Sequence, residues 1–246
     1  MTGPGEAPVL EFAGARLALA PDQDARERTG PPMNLALAPG SLTLIDPQGS
    51  ARAVALADAC AGLLAPITGQ VRFLGQDWAE LPQAQAAELR GRIGRGFSGF
   101  FWLPHLSVQH NLTLAARHHA RAGTTALDEQ AHALAVGFGL PGVPTSLPAA
   151  TEPSDLARAA LVGAFLGRPE LVVLEEPRRG LPPDITAPLV RAIRAARDRG
   201  AAVLWLTTGG ALGEPLLPAT QRFRLAGGRL IATRAGAAPA PETVPA

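Results

Sequence analysis

Lysine is missing from the chain, and so is tyrosine; all 22 basic residues are arginine. Without lysine there is no Schiff base, no lysine general base and no lysine to hold a phosphate. Cys60 is the single cysteine. That excludes a disulfide scaffold and a multi-cysteine zinc site, and Cys60 itself reads as a small buried hydrophobe. Charge is scarce at 17% and nearly balanced at a net +1, which fits neither a disordered acidic chain nor an electrostatic nucleic-acid binder. No run approaches the roughly 20 apolar residues of a membrane span. The opening MTGPGEAPVLEF lacks the basic-then-apolar order of a secretory signal. A globular, cytoplasmic protein is expected, and 47% apolar residues in 246 suffice for a sizeable core.

What is present alternates between two periods. VLEFAGARLAL (9–19), PMNLALA (32–38), SLTLID (41–46), ITGQVRFLGQDW (67–78), RIGRGF (92–97), ELVVLEEP (170–177) and AAVLWLTT (201–208) read as strands. RFRLAGGRLIATR (222–234) reads as a hairpin turning at Gly227-Gly228. Helical patterns cover 50–64, 83–90, 108–123, 127–140, 154–167 and 185–200, with Ser154 expected as an N-cap. In the first, the stripe Val54, Leu56, Ala57, Cys60, Leu63, Leu64 is expected to face the core. Uniformly apolar strands between helices indicate a parallel sheet covered by helices. The expected class is α/β: a parallel core with antiparallel pieces near both ends, built from 8–78 and 168–234, and an inserted helical subdomain at 79–167. Residues 1–7 and 235–246 are expected to be tails. His118 and His119 are adjacent on a helix and point about 100° apart, so they read as a solvated face rather than a metal pair.

The turn between SLTLID and the next helix carries the chemistry. A short strand, a small-residue turn and a helix start form a phosphate-binding layout, because helix amides and the dipole attract anions. The generic loop G-x-x-x-x-G-K-[ST] falls here on Asp46, Pro47, Gln48, Gly49, Ser50, Ala51, Arg52 and Ala53. Length and setting fit; the chemical positions depart. Ala51 puts a Cβ where backbone must approach phosphate. Arg52 replaces a compact ammonium by a planar fork. Ala53 lacks the hydroxyl that ligates Mg²⁺. Asp46 brings a carboxylate to the loop entrance. An ordinary strand–helix turn remains the alternative for this stretch taken alone.

From about residue 9 to 234, the order of segments resembles the ATP-binding subunit of an ABC transporter. LAPGSLTLIDPQGSARAVALADACAGLLAPITGQVRFLGQDW resembles the family's strand, phosphate loop, helix and following strand. RIGRGFSGFFWLPHLSVQHNL resembles the Q-loop region, and TEPSDLARAALVGAFLGRPELVVLEEP the signature helix running into Walker B. EEPRRGLP stands at the D-loop, and RGAAVLWLTT leads to the switch position. The resemblance implies a P-loop NTPase-like fold.

Carried over by position, the resemblance puts Ser98 at the Q-loop glutamine and Thr208 at the switch histidine. The signature LSGGQ becomes Thr151, Glu152, Pro153, Ser154 and Asp155. Glu175 takes the place of the Walker B aspartate and is the metal candidate. Glu176 matches the catalytic glutamate that polarises the attacking water. No aromatic between Arg16 and Met33 is there to stack on adenine. Phe97, Phe100, Phe101 and Trp102 form a cluster that fits a core role or docking; they crowd the region where the family receives a permease helix, so the resemblance favours docking by Phe100, Phe101 and Trp102. The implied ligands are ATP and Mg²⁺, if any nucleotide is bound. The implied partners are an integral membrane permease and a second ATPase subunit, identical or different, with no nucleic acid. The implied place is the inner face of the cell membrane. GQDW and FFWLPHLSV resemble the subunits of lipid-handling bacterial transporters. Two readings stand: a degenerate, permease-docking pseudo-ATPase, or a working ATPase with a non-standard site.

Overall fold

The computed structural model describes residues 7–19, 30–97, 102–118, 124–208 and 218–233. Five parallel strands form its centre: β3 (Leu42–Asp46), β6 (Ile93–Phe97), β7 (Leu171–Glu175), β8 (Ala202–Leu206) and β9 (Gln221–Ala226). With β10 (Arg229–Ala232) antiparallel to β9, the order across the sheet is β10-β9-β3-β8-β7-β6. Every residue of β3, β7 and β8 is buried. That is why these strands read as continuous apolar runs rather than as alternating ones.

Alternate side chains of these strands feed two separate cores. Leu42, Leu44, Val172, Leu174, Val203 and Trp205 join the core beneath four helices. These are α3 (Val108–His118), α4 (Thr124–Gly137), α5 (Pro153–Phe165) and α6 (Thr186–Asp198). Ile45, Leu171, Val173, Leu204 and Leu206 face the other way, toward α1 (Ser50–Cys60) and a second sheet. That sheet is antiparallel, in the order β2-β1-β4-β5. Its strands are β1 (Leu10–Arg16), β2 (Met33–Leu37), β4 (Thr68–Phe73) and β5 (Gln76–Asp77). The expected α/β class, with antiparallel pieces toward both ends, is what forms. The stretch 79–167 holds α2 (Gln83–Arg90), α3, α4 and α5, and it also lends β6 to the central sheet, in parallel register with β7.

Two local expectations need correction. Helix α1 stops at Cys60, and Gly62 follows in the left-handed region at φ 64°. Its buried face is Ala53, Leu56, Ala57, Ala59 and Cys60, while Val54 is 46% and Leu63 61% exposed. Small residues line the packed face, so the larger apolar ones misled the periodicity. Ser154 is not the cap of α5. Glu152 holds that position without a side-chain bond, and Pro153 takes the first helical turn. Proline suits that place because its ring fixes a helical φ and its missing N–H would be unpaired there anyway.

Glycines in β6 let α5 lie against the strand. A Cβ on Gly94 would run into the Ala164 carbonyl, and one on Gly96 would press on the Ala164 methyl at 3.0 Å. Gly94→Ala should therefore lower unfolding stability by about 1–3 kcal/mol, the usual effect of overpacking. Urea denaturation checks it, and an unchanged midpoint would show that α5 can retreat at no cost.

Candidate functional site

Asp46 and the loop after it, Glu175, Glu176 and Thr208 lie at the C-terminal ends of β3, β7 and β8, whereas the signature position opens α5 and Trp102 packs on the helical core. The C-terminal strand ends are where ligands bind in open α/β folds. After Asp46 the chain turns through Gln48 at φ 55° and Gly49 at φ 144°, then enters α1 with Gly49 at the cap. No side chain caps α1, no acid stands in its first turn, and its first bond runs from the Ala53 amide to the Gly49 carbonyl at 3.1 Å. The strand–turn–helix cradle is present. Asp46, however, is folded back on it: Oδ1 accepts the Gln48 amide at 2.9 Å. Its Oδ2 lies 3.7 Å from Nε of Arg224, its register partner on β9. A loop amide is thus taken by the chain's own carboxylate.

Glu175 is 4% exposed at the last position of β7. Its Oε1 accepts Nε of Arg95 at 2.6 Å, and Nη1 of the same guanidinium donates to Oδ1 of Asp58 at 2.6 Å. Arg95 is in register with Val173, whose side chain faces α1. Glu175, two residues on, shares that face, and Asp58 descends to it from α1. Burial pushes the Glu175 carboxyl above its ordinary range, and Arg95 pulls the other way without cancelling the effect. Burial also works against the charge on Arg95, but its bonds to Glu175 and Asp58 outweigh this and raise its value. Nearby, burial pushes the Cys60 thiol to about 12, so it is no nucleophile at neutral pH.

Glu176 has φ 47°, a strained left-handed conformation for glutamate. Three donors clamp its side chain. The Thr208 amide and hydroxyl reach Oε1 at 2.6 and 2.7 Å, and the Thr207 hydroxyl reaches Oε2 at 3.1 Å. Its own amide donates to Leu206 O at 2.9 Å. The structure therefore joins Glu176 directly to Thr208, two residues the resemblance singled out separately.

At the signature position, Thr151 shares a 2.6 Å hydrogen bond with Ser146. Pro153 removes one N–H from the first turn of α5, and Asp155 places a negative charge in that turn. Of the docking aromatics, Trp102 is half-buried and packs on the helical core. Ser98, Phe100 and Phe101 lie outside the described residues. The loop after Trp102 is fixed by Asn111. Its Oδ1 accepts the Leu103 amide at 2.8 Å, and its amide group donates to the carbonyls of Leu103, Leu106 and Ser107.

No protein-family model matches the chain. Among curated proteins it is 30% identical, over 194 residues, to the lipoprotein-releasing system ATP-binding protein LolD 2 of Rhodospirillum rubrum, covering 77% of this chain and 81% of the relative. The chain belongs to the ATP-binding subunits of ABC transporters. Another relative of this ABC subunit is LolD 1 of Rhodopirellula baltica, 27% identical over 81% of the chain and 86% of the relative. The octopine permease ATP-binding protein P of Rhizobium meliloti is 25% identical over 68% and 67%. Solved structures agree in fold. An ATP-binding subunit of an ABC transporter superposes with a TM-score of 0.74 at 20% identity, covering 90% of this chain and 88% of the other. A dimeric ATP-binding cassette in a post-hydrolysis state with ADP and phosphate gives 0.75 at 15%, covering 90% and 96%.

The residues present do not fit the divalent cation of such subunits. Ala53 offers a methyl where a hydroxyl ligand belongs, and Glu175 is tied to a guanidinium. Among the described residues no group of three His, Cys, Asp or Glu side chains can hold a metal. Four participants escaped the sequence reading: Arg95, Asp58, Arg224 and Thr207. One signal was available, since Arg95 is the only charge in the glycine-rich strand IGRGF.

A carboxyl raised in the folded chain holds its proton more tightly there than when unfolded. Its contribution to stability is therefore present below the ordinary glutamate value and lost as pH rises through the raised one. Glu175→Gln removes this contribution. Urea midpoints across the mildly acidic range should fall less steeply with rising pH in the variant than in the wild type, and equal slopes would show that Glu175 does not carry a raised value.

Proposed function

We propose that this ABC subunit docks on a membrane permease while its ATP binding and hydrolysis are impaired or lost, so that it serves transport in a structural or regulatory role. The observation that carries the reading is the internal use of the site's acids: Glu176 is held by Thr207 and Thr208, and Glu175 by Arg95. Phosphoryl transfer depends on positioned charge and metal. Here the lysine, the metal-ligating hydroxyl, the switch histidine and the signature glycines are replaced. Losing one such donor costs about 10²–10³ in rate, and several together leave little even when their effects do not add.

The fold still supports the mechanical half of the family's work. Asn111 holds the segment after Trp102 in one shape, and Trp102 seats that segment on the helical core. The proposed partner is an integral membrane permease met at the inner face of the membrane, with a second ATPase subunit, identical or competent, completing a dimer. The two LolD relatives are named for lipoprotein release, which supports a lipid-linked cargo.

Two measurements test this. Isothermal titration with ATP, with and without Mg²⁺, should show no micromolar binding. Phosphate release should equal the protein-free rate and be unaffected by Glu176→Gln. Turnover abolished by that substitution would establish the working-ATPase reading instead. Co-purification from membranes should recover an integral membrane protein, and Trp102→Ala should weaken its recovery; recovery of none would remove the docking role.

A further inference from the structure

We propose that Arg95 is a built-in cation standing in for the divalent metal at Glu175, so that the cleft excludes Mg²⁺ with or without nucleotide. The inference rests on the reading of this cleft as the family's nucleotide site and deepens it by naming the side chain that closes the metal position.

The geometry is that of an occupied cation site. Two carboxylates from different elements, Glu175 on β7 and Asp58 on α1, converge on one positive group at 2.6 Å each. Glu175 is almost wholly buried, while the Asp58 side chain is 32% exposed. The planar guanidinium presents separate donors in a fixed fork, so one side chain satisfies both acids. It stays protonated at any pH the fold survives, so no change of acidity vacates the place. The sheet holds it there: Arg95 projects toward α1, while Gly94 and Gly96 leave room for α5 on the opposite face.

A Mg²⁺ ion would have to displace this group, and the cleft gives it little in return. Mg²⁺ demands near-octahedral oxygen ligands and sheds water reluctantly. The loop side supplies the Ala53 methyl. Asp46 is already committed to the Gln48 amide and Arg224. Expelling Arg95 would also leave an arginine stranded without the acids that offset its burial, which is costly.

Mn²⁺ serves as the probe, followed by electron paramagnetic resonance of the full-length protein with and without ATP. The wild type should leave the Mn²⁺ signal the same as in the matching solution without protein, with ATP or without it. Arg95→Gln removes the charge and keeps two carboxylates face to face, so it should bind Mn²⁺ at least about tenfold more tightly than the wild type. Stoichiometric submillimolar binding by the wild type overturns the proposal. So does a folded Arg95→Gln variant that binds no better. If Arg95→Gln does not fold, the wild type decides by thermal melting. Equal midpoints in MgCl₂ with ATP and in EDTA with ATP at matched ionic strength support the proposal, and a Mg²⁺-specific stabilisation overturns it. The two readings fail separately. Wild-type ATP turnover in EDTA would sink the impaired-ATPase reading alone, and metal binding without turnover would sink this one alone.

Discussion

Burial of the central sheet on both faces is the constraint from which the rest follows. Strands β3, β7 and β8 have no solvent-facing side, and their acids stand only where the strands stop. Asp46, Glu175, Glu176, Thr207 and Thr208 are those stops. Arg95 is the charge that enters from the neighbouring strand β6, and it reaches Glu175 at that same end.

That same burial explains why the acids are internally partnered. A carboxylate removed from water is costly unless it is paired or hydrogen-bonded. In a chain without lysine, and with alanine where a metal-ligating hydroxyl would stand, Glu175, Asp46 and Glu176 would otherwise face unmatched positions. Arg95, Arg224, Thr207 and Thr208 supply the match. Each of these three acids thus has a partner within the chain.

Much of the architecture was legible in the sequence. The apolar runs LVVLEE and AVLWLTT, the hairpin at Gly227-Gly228 and the helix over 185–200 follow from period and turn chemistry, which are local signals. The cradle after Asp46 was legible from its length and setting. What stayed hidden was non-local or lacked contrast. Arg95 and Glu175 lie 80 residues apart, and only the β6–β7 register brings them together. Asp46 meets Arg224 through a pairing of strands far apart in the chain. The alanine-rich face of α1 carries too little contrast for periodicity to orient it. In sequence Trp102 fits either the core or a docking surface, and only the packing shows it half-buried against the helical core.

The bare contact between β6 and α5 has a mechanical consequence. At Gly94 the strand faces the Ala164 carbonyl of the helix backbone, and at Gly96 the nearest group is the Ala164 methyl, with Leu161 and Leu174 beside it. The strand and the last turn of α5 therefore cannot part without opening a backbone contact, and a side chain at Gly94 would wedge them open.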